Sequence, residues 1–111
     1  MIQYAEIDRT LVVELQDKIL DAHTSQDFRR EVQPQLDSHD RVVFDLSRLT
    51  FVDSSGMGVL LSCLRQVRGG GGDLKLCCLT TQVRAVFQLV RMHRLFDIHT
   101  DQAGAVRAFQ A

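Results

Sequence analysis

Several signals are missing from this chain of 111 residues, and each absence removes a class of function. No apolar run approaches the roughly 20 residues that a membrane-spanning helix needs. The N-terminal "MIQYAEIDRT" also lacks the basic, apolar, small-residue order of a secretory signal, so a cytoplasmic location without direct membrane insertion is expected. Neither sign of charge dominates: 13 basic and 14 acidic side chains leave a net −1, with no electrostatic footprint for direct nucleic-acid binding. Cysteine is scarce. Cys63, Cys77 and Cys78 form no C-x-x-C pair and have no histidine at a zinc-site spacing, so they are expected as reduced core residues, with no metal and no cofactor. His23, His39, His93 and His99 are scattered without a carboxylate or cysteine pattern around them.

The usual catalytic signatures are absent as well. There is no G-x-S-x-G nucleophile elbow and no histidine in a triad relationship to a serine. There is no G-x-x-x-x-G-K-[ST] phosphate loop and no G-x-G-x-x-G dinucleotide fingerprint. No catalytic residue is assigned, and the protein is not expected to be an enzyme.

With 45% hydrophobic residues, what remains is a chain able to bury one core, and a single domain over residues 1–111 is expected. "MIQYAEI" and "LVVEL", separated by "DRT", suit a strand pair, followed by a connecting "QDKILDA". Thr24 can cap a helix whose apolar positions are Phe28, Val32 and Leu36, with Asp27 near its positive end. Pro34 predicts a kink, or an end near Gln33. "RVVFDL" reads as a central strand buried on both faces, interrupted by Asp45. Met57, Leu60, Leu61, Leu64 and Val67 form an amphipathic stripe for a helix starting at or just before Gly56, and "RGGGGD" ends it. "LKLCCL" is the next strand, and Thr80 or Thr81 can cap a helix with Val83, Val86, Phe87 and Val90 inward. "LFDI" suits a short edge strand, and Thr100 or Asp101 can cap a last helix carrying Val106 and Phe109. The alternation predicts an α/β domain with a mixed sheet of four to five strands and about four helices.

The stretch "TFVDSSGMGVLL", residues 50–61, stands out against this background. It places Asp53, Ser54 and Ser55 at the N-terminus of a helix, where unpaired N–H groups and the helix dipole favour an anion. Gly56 and Gly58 lack side chains and leave room for a second molecule to approach the backbone. One cap needs a single side-chain oxygen. Three consecutive polar side chains in an apolar neighbourhood exceed that requirement.

At these residues the chain resembles the anti-sigma factor antagonists of the STAS-domain family. The resemblance covers about the whole chain and is sharpest at "FVDSSGMGVL", within residues 42–98. It implies a STAS-like single domain in which Ser54 is phosphorylated and Ser55 is the neighbour that is normally not the acceptor. The implied partners are an anti-sigma factor that is also a serine kinase, bound by the unphosphorylated form, and a serine phosphatase that restores that form. "ILDAHT" resembles a second family segment, Gly-x-Leu-Asp, matched by Leu20 and Asp21, while Lys18 stands where the family has glycine. Pro34 is a further departure, within the first helix of the family pattern. The partner-binding surface implied by the resemblance comprises Leu20, Asp21, Thr24, Asp53, Ser55, Gly56, Met57 and Gly58. Two other readings of the same residues stay open: an unphosphorylated STAS subunit or scaffold of a membrane transport or signalling assembly, and a small-ligand or nucleotide site at the helix N-terminus.

Overall fold

The computed structural model of the protein describes residues 2–110. It opens with a hairpin of β1 (Ile2–Ile7) and β2 (Thr10–Leu15), paired antiparallel from Ile2↔Leu15 to Ile7↔Thr10. Asp8 and Arg9 make the turn, both with positive φ (51° and 65°), the two-residue geometry whose twist matches that of the flanking strands. Every later strand of the main sheet is parallel to its neighbour. β4 (Arg41–Asp45), β6 (Asp73–Cys77) and β7 (Asp97–His99) complete the order β1-β2-β4-β6-β7. This is the mixed sheet expected from the alternation of elements.

Two strands escaped the sequence pattern. β3 (Ile19–Leu20) and β5 (Phe51–Val52) pair in parallel as a separate two-stranded sheet, within stretches read as connections. Two residues are too few to show an alternation, so only their partners reveal them.

Helices cover the main sheet unequally. α1 (Thr24–Asp37), α2 (Ser54–Gly69) and α3 (Thr81–Leu89) pack with Leu11, Val13, Val42, Phe44, Leu74 and Leu76 on one face. The other face has a smaller cluster in which Val12, Val43 and Cys77 meet Ala105 and Val106 of α4 (Gln102–Ala108). The period-2 alternation of side chains in β4 accounts for the division: Val42 and Phe44 point to one layer, Val43 and Asp45 to the other. Burial also raises the pKa of the thiols. Cys63, a residue of α2, is fully buried, and burial pushes its thiol up to about 12. Cys77 and the half-buried Cys78 are raised for the same reason.

α1 excludes one of the two outcomes expected at Pro34, an end near Gln33. It runs through Pro34 to Asp37. An interior proline removes a backbone donor and costs about 3 kcal/mol. Against this, Leu36 extends the buried stripe of Phe28 and Val32, and Gln66 of α2 donates to the Gln33 carbonyl at 3.3 Å and to Asp37 at 2.6 Å. The last turn is held from outside. Thr24 is not a side-chain cap either: His23 occupies the cap position without a side-chain bond, and the Asp21 carboxylate accepts from the His23 and Thr24 N–H groups at 2.9 and 3.0 Å. Thr80 and Asp101 do cap α3 and α4, through Val83 N–H and Gly104 N–H. Val90 is 52% exposed and not inward, because α3 ends one residue before it.

The glycine run closes α2 as expected. Gly71 takes φ +92°, a conformation that glycine adopts without strain, and Gly72 N–H returns to the Val67 carbonyl at 3.0 Å. A side chain at Gly72 would begin 2.2 Å from the Asp40 carbonyl oxygen, whereas one at Gly69 meets nothing within 4 Å. Gly72→Ala is therefore expected to cost at least about 1–3 kcal/mol in urea unfolding, and Gly69→Ala to stay near wild type. Equal stability of the two variants would contradict the tight approach of this turn to β4.

Candidate functional site

The D-S-S-G stretch sits on a ledge built by β3 and β5. Lys18 carbonyl oxygen accepts from Thr50 N–H at 2.8 Å and from Phe51 N–H at 3.2 Å, and the pairs Ile19↔Phe51 and Leu20↔Val52 follow. Asp53 N–H then donates to the Leu20 carbonyl at 3.3 Å. The next positions along the two strands are Asp21 and Asp53, so the register puts the "ILDAHT" segment beside the start of α2.

Asp53 caps that start. Its Oδ1 accepts from Gly56 N–H at 3.0 Å while its carbonyl accepts from Met57 N–H at 2.9 Å. Ser54 and Ser55 form the first two positions of the helix, both exposed. Their N–H groups have no carbonyl partner one turn back, and the positive end of a 16-residue helix lies beneath them. Ser54 shares a helix face with Gly58, four residues on. Gly58 is exposed and a side chain built there meets nothing within 4 Å.

The two glycines of the motif therefore differ. Gly56 is buried, and an added Cβ would lie 2.3 Å from the Leu20 carbonyl oxygen and 2.8 Å from a Val52 methyl. It serves close packing of α2 on β3, not access for a second molecule. Leu20 and Met57 are also buried, at 0% and 6% exposure, and support the ledge from below. Of the partner-binding residues implied by the resemblance, Asp21, Thr24, Asp53, Ser55 and Gly58 reach the surface.

Asp21 is committed to its own loop. Its Oδ1 accepts from His23 N–H, Thr24 N–H and the Thr24 hydroxyl, and its N–H donates to the Thr24 hydroxyl at 2.9 Å. The hydrogen bond from the Thr24 backbone leads the effects that hold its carboxyl below the usual range, so it stays ionised into mild acid. Two carboxylates, Asp53 and Asp21, thus stand at the adjoining ends of β5 and β3.

Apolar groups surround this polar point, and two of them, Ile19 and Phe51, were missed by the sequence reading. Ile19 and Phe51, facing each other across the β3–β5 pair, are 45% and 52% exposed. On the other side an open groove of about 290 Å³ runs between α2 and α3, lined by Val52, Asp53, Ser54, Met57, Val86, Val90 and Met92. Leu89, at the end of α3, is also exposed. Val90 was read as core because it continues the helical period, which carries no information on where the helix stops. An exposed apolar patch of this kind is a candidate protein-binding surface.

Comparison with known proteins gives a consistent result. The STAS domain family profile matches residues 1–105. BtrV of Bordetella bronchiseptica, named as a candidate anti-sigma factor antagonist, is 34% identical over 106 residues, covering 95% of this chain and 90% of its own. An anti-sigma-factor antagonist (STAS) domain protein from Planctomyces limnophilus has the same fold, with a TM-score of 0.91 at 16% identity over 99% of this chain and 98% of its own. The Bacillus cell fate determinant SpoIIAA, solved in its phosphorylated form, aligns with a TM-score of 0.73 at 23% identity over 98% of this chain and 99% of its own.

The contrast between the glycines is measurable. Gly56→Ala should destabilise by about 1–3 kcal/mol because its Cβ meets backbone. Gly58→Ala, in open space within a helix, should gain about 0.5–1 kcal/mol. Denaturant unfolding of both variants checks this, and a harmless Gly56→Ala would mean that α2 does not approach β3 as described.

Proposed function

Because the chain belongs to the STAS domain family, we propose that it is an anti-sigma factor antagonist controlled by phosphorylation of Ser54. In this reading residues 1–111 act as one domain, a binding module and not an enzyme. The unphosphorylated form binds an anti-sigma factor that is also a serine kinase, and so frees the sigma factor. The kinase phosphorylates Ser54 and ends the interaction, and a serine phosphatase reverses the modification. Among the described residues no helix is long and apolar enough to cross a membrane.

The observation that carries this reading is the setting of Ser54. It is an exposed hydroxyl on the first turn of α2, capped by Asp53, in line with the open surface at Gly58 and rimmed by Ile19, Phe51 and Val90. The 34% identity to BtrV over nearly the whole chain supports the family role. Ser54 is preferred to Ser55 as the acceptor because it directly follows Asp53 and borders the groove. Asp21, Thr24, Asp53, Ser55 and Gly58 form the polar part of the binding face, with Leu20, Gly56 and Met57 as its support.

Phosphorylation adds about −1.5 to −2 charge at neutral pH. In the free protein that charge sits on the unpaired N–H groups of α2, which favour it, although Asp53 and Asp21 oppose it. In a complex the same group must lose its water against an apolar rim, at a cost of several kcal/mol unless the partner supplies cations. The fold should survive while binding is lost.

Ser54→Asp should retain the wild-type circular dichroism and bind the kinase at least about tenfold more weakly, as 1.4 kcal/mol of repulsion or desolvation dictates. Ser54→Ala should bind but take up no phosphate, and Gly58→Leu should weaken binding by filling the open face. Isothermal titration against the purified kinase reads all three. A Ser54→Asp protein that binds as tightly as wild type would remove charge as the control and favour an unswitched STAS subunit.

A further inference from the structure

At the carboxyl ends of the parallel strands, away from the ledge, lies a second polar cluster. We propose that Asp45, Cys77 and Cys78 bind a thiophilic divalent cation of the Zn²⁺ class. The sheet register creates the site: Asp45 and Cys77 are the last residues of β4 and β6 and are directly paired, so their side chains leave the same face. Cys78 follows with φ +64°, and its N–H donates to the His99 carbonyl at 3.2 Å. One carboxylate oxygen and two sulfurs thereby lie within 4.8 Å of one another.

The electrostatics independently call for a cation. Asp45 is only 7% exposed and, among the described residues, has no ion-pair partner. Lys75, on the same strand face two residues before Cys77, is held by Asp97 at 2.7 Å and Asp73 at 3.6 Å. A buried carboxylate without a counter-charge is costly. The Asp45 carboxylate accepts from Ser47 N–H at Oδ1 (2.9 Å), from Gln102 Nε2 at Oδ2 (2.5 Å) and from the Cys78 thiol. The Ser47 and Gln102 bonds hold the carboxylate in place, as partners behind a metal ligand do, and the Cys78 proton is one that a bound metal would displace.

The donor set selects the ion. Two sulfurs and one oxygen suit Zn²⁺, whereas Mg²⁺ and Ca²⁺ want oxygen alone and Cu⁺ does not favour a carboxylate. Bonds of about 2.3 Å to sulfur and about 2.0–2.2 Å to oxygen put neighbouring donors roughly 3.3–3.8 Å apart, so the cluster need contract by only about 1 Å. A fourth position remains for water. Binding displaces a proton from each thiol and changes no oxidation state. The bound ion would tie β4 to β6.

The test is titration of the reduced, metal-free full-length chain with Co²⁺ under anaerobic conditions. One equivalent should produce a thiolate-to-cobalt charge-transfer absorption that Zn²⁺ abolishes. Cys78→Ser and Asp45→Asn should each raise the dissociation constant at least about tenfold, and Gln102→Ala by about 10–100-fold. Cys63→Ser should bind as wild type. In the wild-type chain, which removes any question of variant folding, Zn²⁺ should protect the half-buried Cys78 from alkylation as read by peptide mass spectrometry. No charge-transfer band, a band unchanged in Cys78→Ser, or equal alkylation with and without Zn²⁺ would overturn the site.

Discussion

The close approach of α2 to β3, made at Gly56 against the Leu20 carbonyl, is the constraint on which the functional face depends. It brings the N-terminus of the helix onto the β3–β5 ledge, and Asp53 can then use its N–H on Leu20 and its carboxylate on Gly56 at the same time. With both ends of Asp53 engaged, the first turn of α2 is rigid and Ser54 and Ser55 are held outward. Any side chain at residue 56 would push the helix off the ledge. The Ser54 hydroxyl would then lose its position relative to the apolar groove.

A rigid, exposed helix N-terminus suits a switch that has to act without unfolding. The N–H groups of the first turn accept a phosphate that the adjoining carboxylates would otherwise resist, so the modified domain loses little stability. The binding face has no such reserve. Ile19, Phe51 and Val90 favour an apolar partner surface, and a dianion in their midst must be matched by cations or kept in water. On the proposed reading, the surface that makes the unmodified form adhesive makes the modified form incompatible.

Much of this was legible in the residues. The hairpin, the buried central strand, the α2 stripe, the glycine turn and the caps at Thr80 and Asp101 follow from periodicity and local chemistry, and the motif itself marked Ser54. What was hidden depends on contacts distant in sequence. β3 and β5 are two-residue strands defined only by each other, and Gly56 differs from Gly58 only through Leu20. The continuation of α1 past Pro34 rests on Leu36 and on Gln66 of another helix. The cluster of Asp45 with Cys77 and Cys78 requires the β4–β6 register, since no metal-site spacing links residues 32 and 33 positions apart.

The central claim is that Ser54 carries the regulatory phosphate, and peptide mass spectrometry of the chain isolated from its native cell tests it most directly. The account predicts a singly phosphorylated peptide across residues 50–61 with the phosphate localised to Ser54, its occupancy changing with growth or stress conditions. A peptide that stays unmodified across those conditions, or carries its phosphate only on Ser55, would contradict the account.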